Sequence, residues 1–482
     1  MTQSVASLWT HDEAARATGG RAGGAWTATG VSIDSRSVAP GDLFVALKGP
    51  SLDGHDYVAA ALEAGAVAAL VHQAPAGVDP ARLLVVDDTF AALHGLGRRA
   101  RARAAGVRVV GVTGSVGKTG TKDMLALALS SLGSTHATRG NLNNHWGVPL
   151  TLARMPADTA FAVIEMGMNH AGEIAPLTRL ARPHVAIITA IASAHIAFFG
   201  SEEGIADAKA EILEGLEPGG VAVLPRDSRH FRRLARAARL AGVARIVGFG
   251  AHAEAEARLL DLASDPGRQR VFMVCEGAAL GYPLGLDGRH WAFNSLAVVV
   301  AVRALVAPGA DVMPAVAALG RMTSPEGRGE QRESVMPGGR FRLIDESYNA
   351  SPVAVTAALE TLALARTGPG GRRIAVLGDM LELGAEGPAL HAGLAASVLE
   401  HGIDVVHTAG PLMAHLHHAL PAGRRGDHAS SSAMLAPRVT AAVRPGDVVM
   451  VKGSLGSRMS LVVRALLALA GAEARVEDEP AA

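Results

Sequence analysis

A chain of 482 residues, 49% apolar and balanced at 45 basic against 45 acidic side chains, is long enough for about three domains with large buried cores. The zero formal net charge excludes a molecule steered as a whole onto nucleic acid or an acidic membrane surface. The single cysteine, Cys275, excludes an internal disulfide framework and multi-cysteine zinc sites, and it fits a reducing compartment. The start, MTQSVASLWTHDEAARA, has neither a basic region nor a continuous apolar stretch, so no signal peptide is expected. The most apolar run, Leu296–Val302, meets Arg303 well short of the ~20 residues needed to cross a bilayer. A cytoplasmic protein without membrane insertion is expected.

The first hundred residues read as a small α/β domain. Gly30–Arg36 and Asp42–Leu47 have the pattern of short strands, and Asp56–Ala64 that of a helix feeding a strand at Ala66–Val71. Within it Asp34, Ser35 and Arg36 form a polar cluster. Asp34 and Arg36 can hold a ligand's hydroxyls and phosphates, and turn formation with surface pairing explains them equally well. Arg98–Arg103, RRARAR, reads as a solvated helix face leading into a linker.

Val107–Thr121, VRVVGVTGSVGKTGT, is the stretch around which the rest is arranged: an apolar run, a glycine-rich turn, then Lys118 and Thr119 opening a helical pattern through Leu132. Backbone N–H groups of such a strand–loop–helix wrap phosphates, the lysine reaches the terminal ones and the hydroxyl holds Mg²⁺. The loop, Thr113-Gly114-Ser115-Val116-Gly117-Lys118-Thr119 followed by Gly120, is a variant, since Val112 stands where the ordinary pattern has its first glycine.

Alternating strands and helices follow, the pattern of a mainly parallel sheet covered on both faces. The loop Gly140–Gly147 contains Asn143 and Asn144 and either recognises a ligand or simply turns. Ala160–Ile164 is a strand ending at Glu165, a carboxylate well placed to hold Mg²⁺ at the strand-end edge where open α/β sheets bind ligands. Val185–Ile191 leads to His195 near the same edge. Gly204–Gly215 is a helix carrying Lys209, whose bland alternative is an exposed lysine paired with Glu202 or Glu203. Strands at Gly220–Leu224 and Ala244–Gly248 flank a basic helix, Ser228–Leu240; β-like runs occupy Leu259–Tyr282, and an apolar helix follows from Gly288 to Leu305. Cys275, in RVFMVC, reads as a small buried hydrophobe. Periodicity breaks at Thr323–Gly329. A third unit then shows strands at Arg340–Ile344, Ile374–Leu377, Asp404–His407 and Asp447–Val451, a doubly wound pattern, and its tail after Ala470 reads as frayed.

Several segments resemble the Mur ligases of peptidoglycan synthesis, and within them the branch that adds D-alanyl-D-alanine. They are the loop Thr113–Thr119, DSRSVAPGDLFVALKG from Asp34, GNLNNHWGVPLTL from Gly140, EMGMNHAGEI from Glu165, AHIAFFGSEEGIADAKAEI from Ala194, DESYNASP from Asp345, VLGDMLELG from Val376 and VKGS from Val451. The resemblance implies a three-domain α/β protein. Residues 1–106 would be a small UDP-substrate-binding domain, 107–326 a central P-loop ATPase-type domain with a mainly parallel sheet, and 327–482 a Rossmann-like acceptor-binding domain.

It implies an ATP-dependent ligase that joins D-alanyl-D-alanine to UDP-N-acetylmuramoyl-tripeptide through an acyl phosphate, giving the pentapeptide, ADP and phosphate. Lys118, Lys209 and His195 would be catalytic, with residues 113–120 around the ATP phosphates. Asn294, Arg328 and Asp345 would contact the rest of the nucleotide. Thr119, Glu165, His195 and a carbamylated Lys209 would hold two Mg²⁺ ions. Asp34, Ser35, Arg36, Asn143 and Asn144 would face substrate, and Asn349 with the Ser351 neighbourhood would face the acceptor. A monomer working on small molecules, without nucleic acid, is expected. The chain departs from the branch at Ala190, usually Asn, and Ser351, usually Asn. A sibling ligase adding one amino acid is the nearest alternative, against which the Tyr348-Asn349 form of DESYNASP argues.

Overall fold

The computed structural model describes residues 7–192, 196–265, 268–324 and 327–476. Among the described residues three separate sheets organise the chain, with a two-stranded ribbon of Trp9–Thr10 and Thr27–Ala28 as well. The amino-terminal sheet runs Arg21–Ala22, Leu83–Val85, Ala68–Val71, Asp42–Val45, Gly30–Ser32, parallel except at the first pair. Asp42–Val45 and Ala68–Val71 are buried at every position, as strands covered on both faces must be.

Among the described residues the central sheet has nine strands. Its pivot is Arg108–Thr113, paired in parallel with Phe161–Glu165 on one side and Val185–Ile188 on the other. The chain leaves this first strand toward one edge and later returns to the opposite side, so the crevice at its carboxyl end is a topological switch point. Val110 and Val112 face a cluster containing the helices Lys118–Ser130 and Arg289–Leu305, whereas Val109 faces one containing Ile174–Ala181 and Glu202–Ala210. Beyond Arg245–Gly250 come Ala257–Asp265, Arg268–Cys275 and Ala278–Leu284, the last three joined as an antiparallel meander where the sequence indicates β-like runs. Cys275 is free and buried, as its apolar setting predicts.

The carboxy-terminal sheet orders Glu330–Met336, Gly339–Glu346, Val448–Lys452, Arg373–Gly378, Val405–Ala409 and Arg425–Ala429, parallel except for the first pair. Glu346 lies level with Lys452 at the carboxyl ends of adjacent strands.

Three local expectations are corrected. The arginine run is only in part a solvated face: it ends the helix Thr89–Arg103 with Arg98 and Arg99 exposed, but Arg101 and Arg103 are drawn into the contact with the central unit. Arg101 Nε donates to Ala181 O at 2.8 Å. Arg103 donates to Leu8 O at 2.7 Å and to Met155 O at 3.2 Å, with its guanidinium 4.1 Å above the Trp9 ring. A guanidinium tolerates this because carbonyls accept from its terminal nitrogens while its stem packs. The expected strand Gly30–Arg36 stops at Ser32, and a 3₁₀ turn, Ser35–Ser37, capped by Asp34, takes over. The segment expected to fray after Ala470 stays in the helix Ser460–Val476 as far as Val476, and residues 477–482 lie outside the described residues.

Candidate functional site

The cradle forms where Arg108–Thr113 passes into the helix Lys118–Ser130. Gly117 precedes that helix at φ +84°, and a Cβ there would meet Asn294 Nδ2 at 2.8 Å, so no other residue fits without displacing the amide. Gly120 lets the Trp291 ring lie directly on the first turn. The loop is held from outside by the strand end that follows Ile188. Ser115 N donates to Ala190 O at 2.8 Å, Ser115 Oγ to Ala192 O at 2.9 Å and Thr189 Oγ1 to Val116 O at 2.5 Å. Position 190 contributes its backbone carbonyl to this brace, so the Ala190 departure leaves the brace intact.

Ser115, Val116, Gly117, Lys118, Thr119 and Gly120 line a cavity of 1120 Å³. Thr113 and Gly114 sit beneath it in the loop's buried base and are not among its lining residues. Lys118 Nζ donates to Gly114 O at 2.7 Å. Burial lowers its pKa; Glu165 opposes the shift and Arg328 adds to it.

Glu165 ends its strand 1% exposed. Its Oε1 accepts from Asn143 Nδ2 at 2.8 Å and from Thr119 Oγ1 at 3.3 Å, while Oε2 is buried without a partner among the described residues. A desolvated carboxylate oxygen without a donor is costly, and a hard cation beside a hydroxyl and a carboxylate is the partner such an arrangement accepts. Thr119, Glu165 and Asn143 are thus brought together. Among the described residues no cluster of three His, Cys, Asp or Glu side chains could alone hold a metal. His195 lies outside the described residues.

Lys209 is not the exposed lysine of the bland reading. It is 2% exposed, and burial pushes its pKa well below the ordinary lysine range, with the Lys118 charge adding to the shift.

The opposite wall comes from the carboxy-terminal unit. Arg328 stacks 4.0 Å over the Tyr348 ring, and both line the cavity with Asn294 and the exposed Asn349. Asp345, 8% exposed, accepts from Ser347 N at 3.0 Å and lines an adjoining cavity shared with Thr119 and Arg328. Ser351 caps the helix Pro352–Leu364 through Ala354 N, a cap role for which Ser and Asn serve alike. The Asn144 side chain is similarly engaged, accepting from Trp146 N and Gly147 N at the start of Gly147–Ala153.

Asp34, Ser35 and Arg36 are not brought to either cavity. Arg36 closes a fork onto its neighbour, with Nε 2.9 Å and Nη2 2.7 Å from the Asp34 carboxylate, and this lowers the Asp34 pKa. Sequence reasoning missed Glu346, Lys452 and His290, which share the cavity wall. Lys452 donates to Glu346 Oε2 at 3.0 Å. Burial lowers the His290 pKa, with Glu346 opposing the shift and Lys452 adding to it. Ends of two adjacent parallel strands were the available signal for Glu346 and Lys452. His290 had none beyond its place at a helix start.

Comparison with known proteins agrees with this geometry. Residues 27–112 match the Mur ligase family catalytic domain, 112–302 the Mur ligase middle domain and 327–455 the Mur ligase glutamate ligase domain. The UDP-N-acetylmuramoyl-tripeptide–D-alanyl-D-alanine ligase of Escherichia coli K12 is 36% identical, over 91% of this chain and 94% of its own length. Its counterpart from Bacillus subtilis 168 is 34% identical over 91% and 93%. Among solved structures, MurF from Acinetobacter baumannii superposes with a TM-score of 0.82 at 29% identity, covering 95% of this chain and 98% of that one. MurF ligase from Thermotoga maritima in complex with ADP gives 0.75 at 28%, covering 92% and 98%. With three consecutive family domains and full-length relatives above 30% identity, the chain belongs to the Mur ligase family.

Proposed function

We propose that this chain is the ATP-dependent ligase that joins D-alanyl-D-alanine to UDP-N-acetylmuramoyl-tripeptide, forming UDP-N-acetylmuramoyl-pentapeptide, ADP and phosphate. The observation that carries the reading is the cavity in which the Lys118 cradle and Glu165 of the central unit face Arg328, Tyr348 and Lys452 of the carboxy-terminal one. Full-length similarity to ligases with that printed name, and to a ligase structure holding ADP, supports substrate and nucleotide. A cytoplasmic monomer acting on small molecules is part of the same proposal; no helix among the described residues is long and apolar enough to cross a membrane.

An amine cannot displace oxide from a carboxylate in neutral water, so the carboxyl must first acquire a leaving group. Cradle amides and Lys118 hold the ATP phosphates so that a carboxylate oxygen of the tripeptide attacks the γ-phosphorus and the bond to the ADP oxygen breaks. The dipeptide's amine then attacks the acyl carbon, loses its proton, and phosphate departs. Asn294 and Arg328, with Asp345 beside them, are proposed to hold the nucleoside, and Asn349 the acceptor. Asn143 orients Glu165. Thr119, Glu165, His195 and Lys209 are the proposed holders of Mg²⁺, which when bound supplies charge neutralisation for the two anions that must meet. Glu165 fits that role through its orphaned oxygen. Lys209 fits it as a carbamate, because burial disfavours its ammonium form and the free amine is the form that adds to carbon dioxide. Separation of the central and carboxy-terminal walls would admit water to the acyl phosphate, so both must close before reaction.

The test offers UDP-N-acetylmuramoyl-tripeptide, ATP and either D-alanyl-D-alanine or single amino acids. Phosphate release with pentapeptide product is expected from the dipeptide alone, and Lys118→Ala is expected to lose activity by about 10²- to 10³-fold. Release with a single amino acid instead would assign a sibling reaction, and undiminished product from the variant would overturn the cradle's role.

A further inference from the structure

The carboxy-terminal wall contains a charged side chain that the phosphate and metal chemistry does not use. Lys452, at the end of Val448–Lys452, has a side chain 5% exposed, and it lines the cavity. An ammonium has three N–H donors, and among the described residues Lys452 has one acceptor, Glu346 Oε2 at 3.0 Å. Glu346, 15% exposed, balances the charge and fixes the side chain from the next strand, but leaves donors to be met from the cavity. A desolvated ammonium with unmet donors selects an anionic group, and does so far more sharply than an exposed one.

Beside it, Val353, Ala354, Ala357 and Ala358 of the helix Pro352–Leu364 face the same cavity, spaced as one side of a helix. Ser351 Oγ is engaged in capping, and Thr356 Oγ1 of the same helix pairs with Ser397 Oγ. This wall offers side chains neither donor nor acceptor. It accepts methyl groups and offers a charged or amide side chain no partner for the water that side chain would lose.

We propose that Lys452, held by Glu346, anchors the terminal carboxylate of the incoming dipeptide, and that the Val353–Ala358 face receives its methyl side chains. The assignment rests on the ligase reading above and makes Lys452 a binding and specificity residue rather than a catalytic one. It turns the acceptor so that its carboxylate lies in the carboxy-terminal unit and its amine faces the cradle.

The experiment compares D-alanyl-D-alanine with its carboxamide, D-alanyl-D-alaninamide, in the wild-type protein and in the charge-neutral double variant E346Q/K452M. That pairing avoids stranding one buried charge. Wild type is expected to prefer the free carboxylate by about 100-fold in kcat/KM, and the double variant to retain no more than about 5-fold preference with KM for ATP within about 3-fold of wild type. Ala357→Leu is expected to raise KM for the dipeptide about 10-fold without changing KM for ATP. A wild-type protein that uses the carboxamide within about 3-fold of the dipeptide overturns the proposal and leaves the ligase reading standing, even if the double variant does not fold. Full discrimination in a folded double variant overturns it too. Wild type forming no pentapeptide with any acceptor would overturn the ligase reading itself.

Discussion

Among the described residues Glu165 Oε2 is buried with no donor, while Oε1 has two. If this oxygen is kept for a cation, Glu165→Gln should leave the metal-free protein as stable as wild type or more so, because the substitution removes a desolvated charge. Addition of Mg²⁺ and ATP should then raise wild-type stability by about 2.7 kcal/mol at a hundredfold excess over Kd and the variant's by much less, read as the shift in Tm. Equal shifts in both proteins would remove Glu165 from the cation site. Gly117 gives a second residue-level prediction. Gly117→Ala must hold a left-handed φ, at roughly 1–2 kcal/mol, and displace the Asn294 amide. ADP titration by calorimetry should show at least a tenfold loss of affinity, as roughly 1.4 kcal/mol implies. Both residues were legible in the sequence because their constraints are local: a turn with Lys-Thr behind it, and a carboxylate closing an apolar strand. Lys209 was not, since the burial that lowers its pKa comes from elements distant in sequence.

At the scale of elements, His184 shows how two central strands are tied. It accepts the Val109 N–H at 3.0 Å through Nδ1, immediately before Val185–Ile188, while its own N–H donates to Val109 O at 2.7 Å. Burial, with the Arg108 and Arg101 charges beside it, lowers its pKa to about 4. The unfolded chain therefore binds a proton at this site at higher pH than the folded one. Stability from His184 is present above its unfolded pKa of about 6.5 and is lost as pH falls toward 4. Urea denaturation at pH 7 and pH 5 should show wild type losing more stability than His184→Gln over that interval. Equal losses would mean that the ring nitrogen is not the strand tie. The sheet itself was legible from its apolar runs, and its helices from their periodicity. The arginine run was only half legible because composition alone describes a charged surface, which fits Arg98 and Arg99, whereas Arg101 and Arg103 turn inward to carbonyls of other elements.

For the whole molecule, the three sheets do not amount to three equally separate bodies. Leu8, Trp9, Leu93, Leu96 and Ala100 of the amino-terminal unit share one apolar cluster with Leu150 and Ala153 of the central unit. Trp9 Nε1 also donates to Ala153 O at 2.9 Å across that boundary. The two clusters of the carboxy-terminal unit, by contrast, contain only its own residues among those described. It meets the central unit across the walls of the cavity, where Arg328, Glu346 and Lys452 make the surface polar. A shared core moves as one piece, and a polar wall can part and re-form, so a chain that must admit substrates and then exclude water is expected to open on the carboxy-terminal side. Scanning calorimetry without ligand should accordingly resolve two transitions, one for the fused amino-terminal and central units and one for the carboxy-terminal unit. Leu150→Ala, at a side chain 1% exposed, should cost roughly 2–5 kcal/mol in the first and leave the second in place. Adding ATP with Mg²⁺ should raise both and draw them together, because the cavity that would hold the nucleotide takes its walls from both bodies. Three transitions, or a shift of the carboxy-terminal one by Leu150→Ala, would contradict this division.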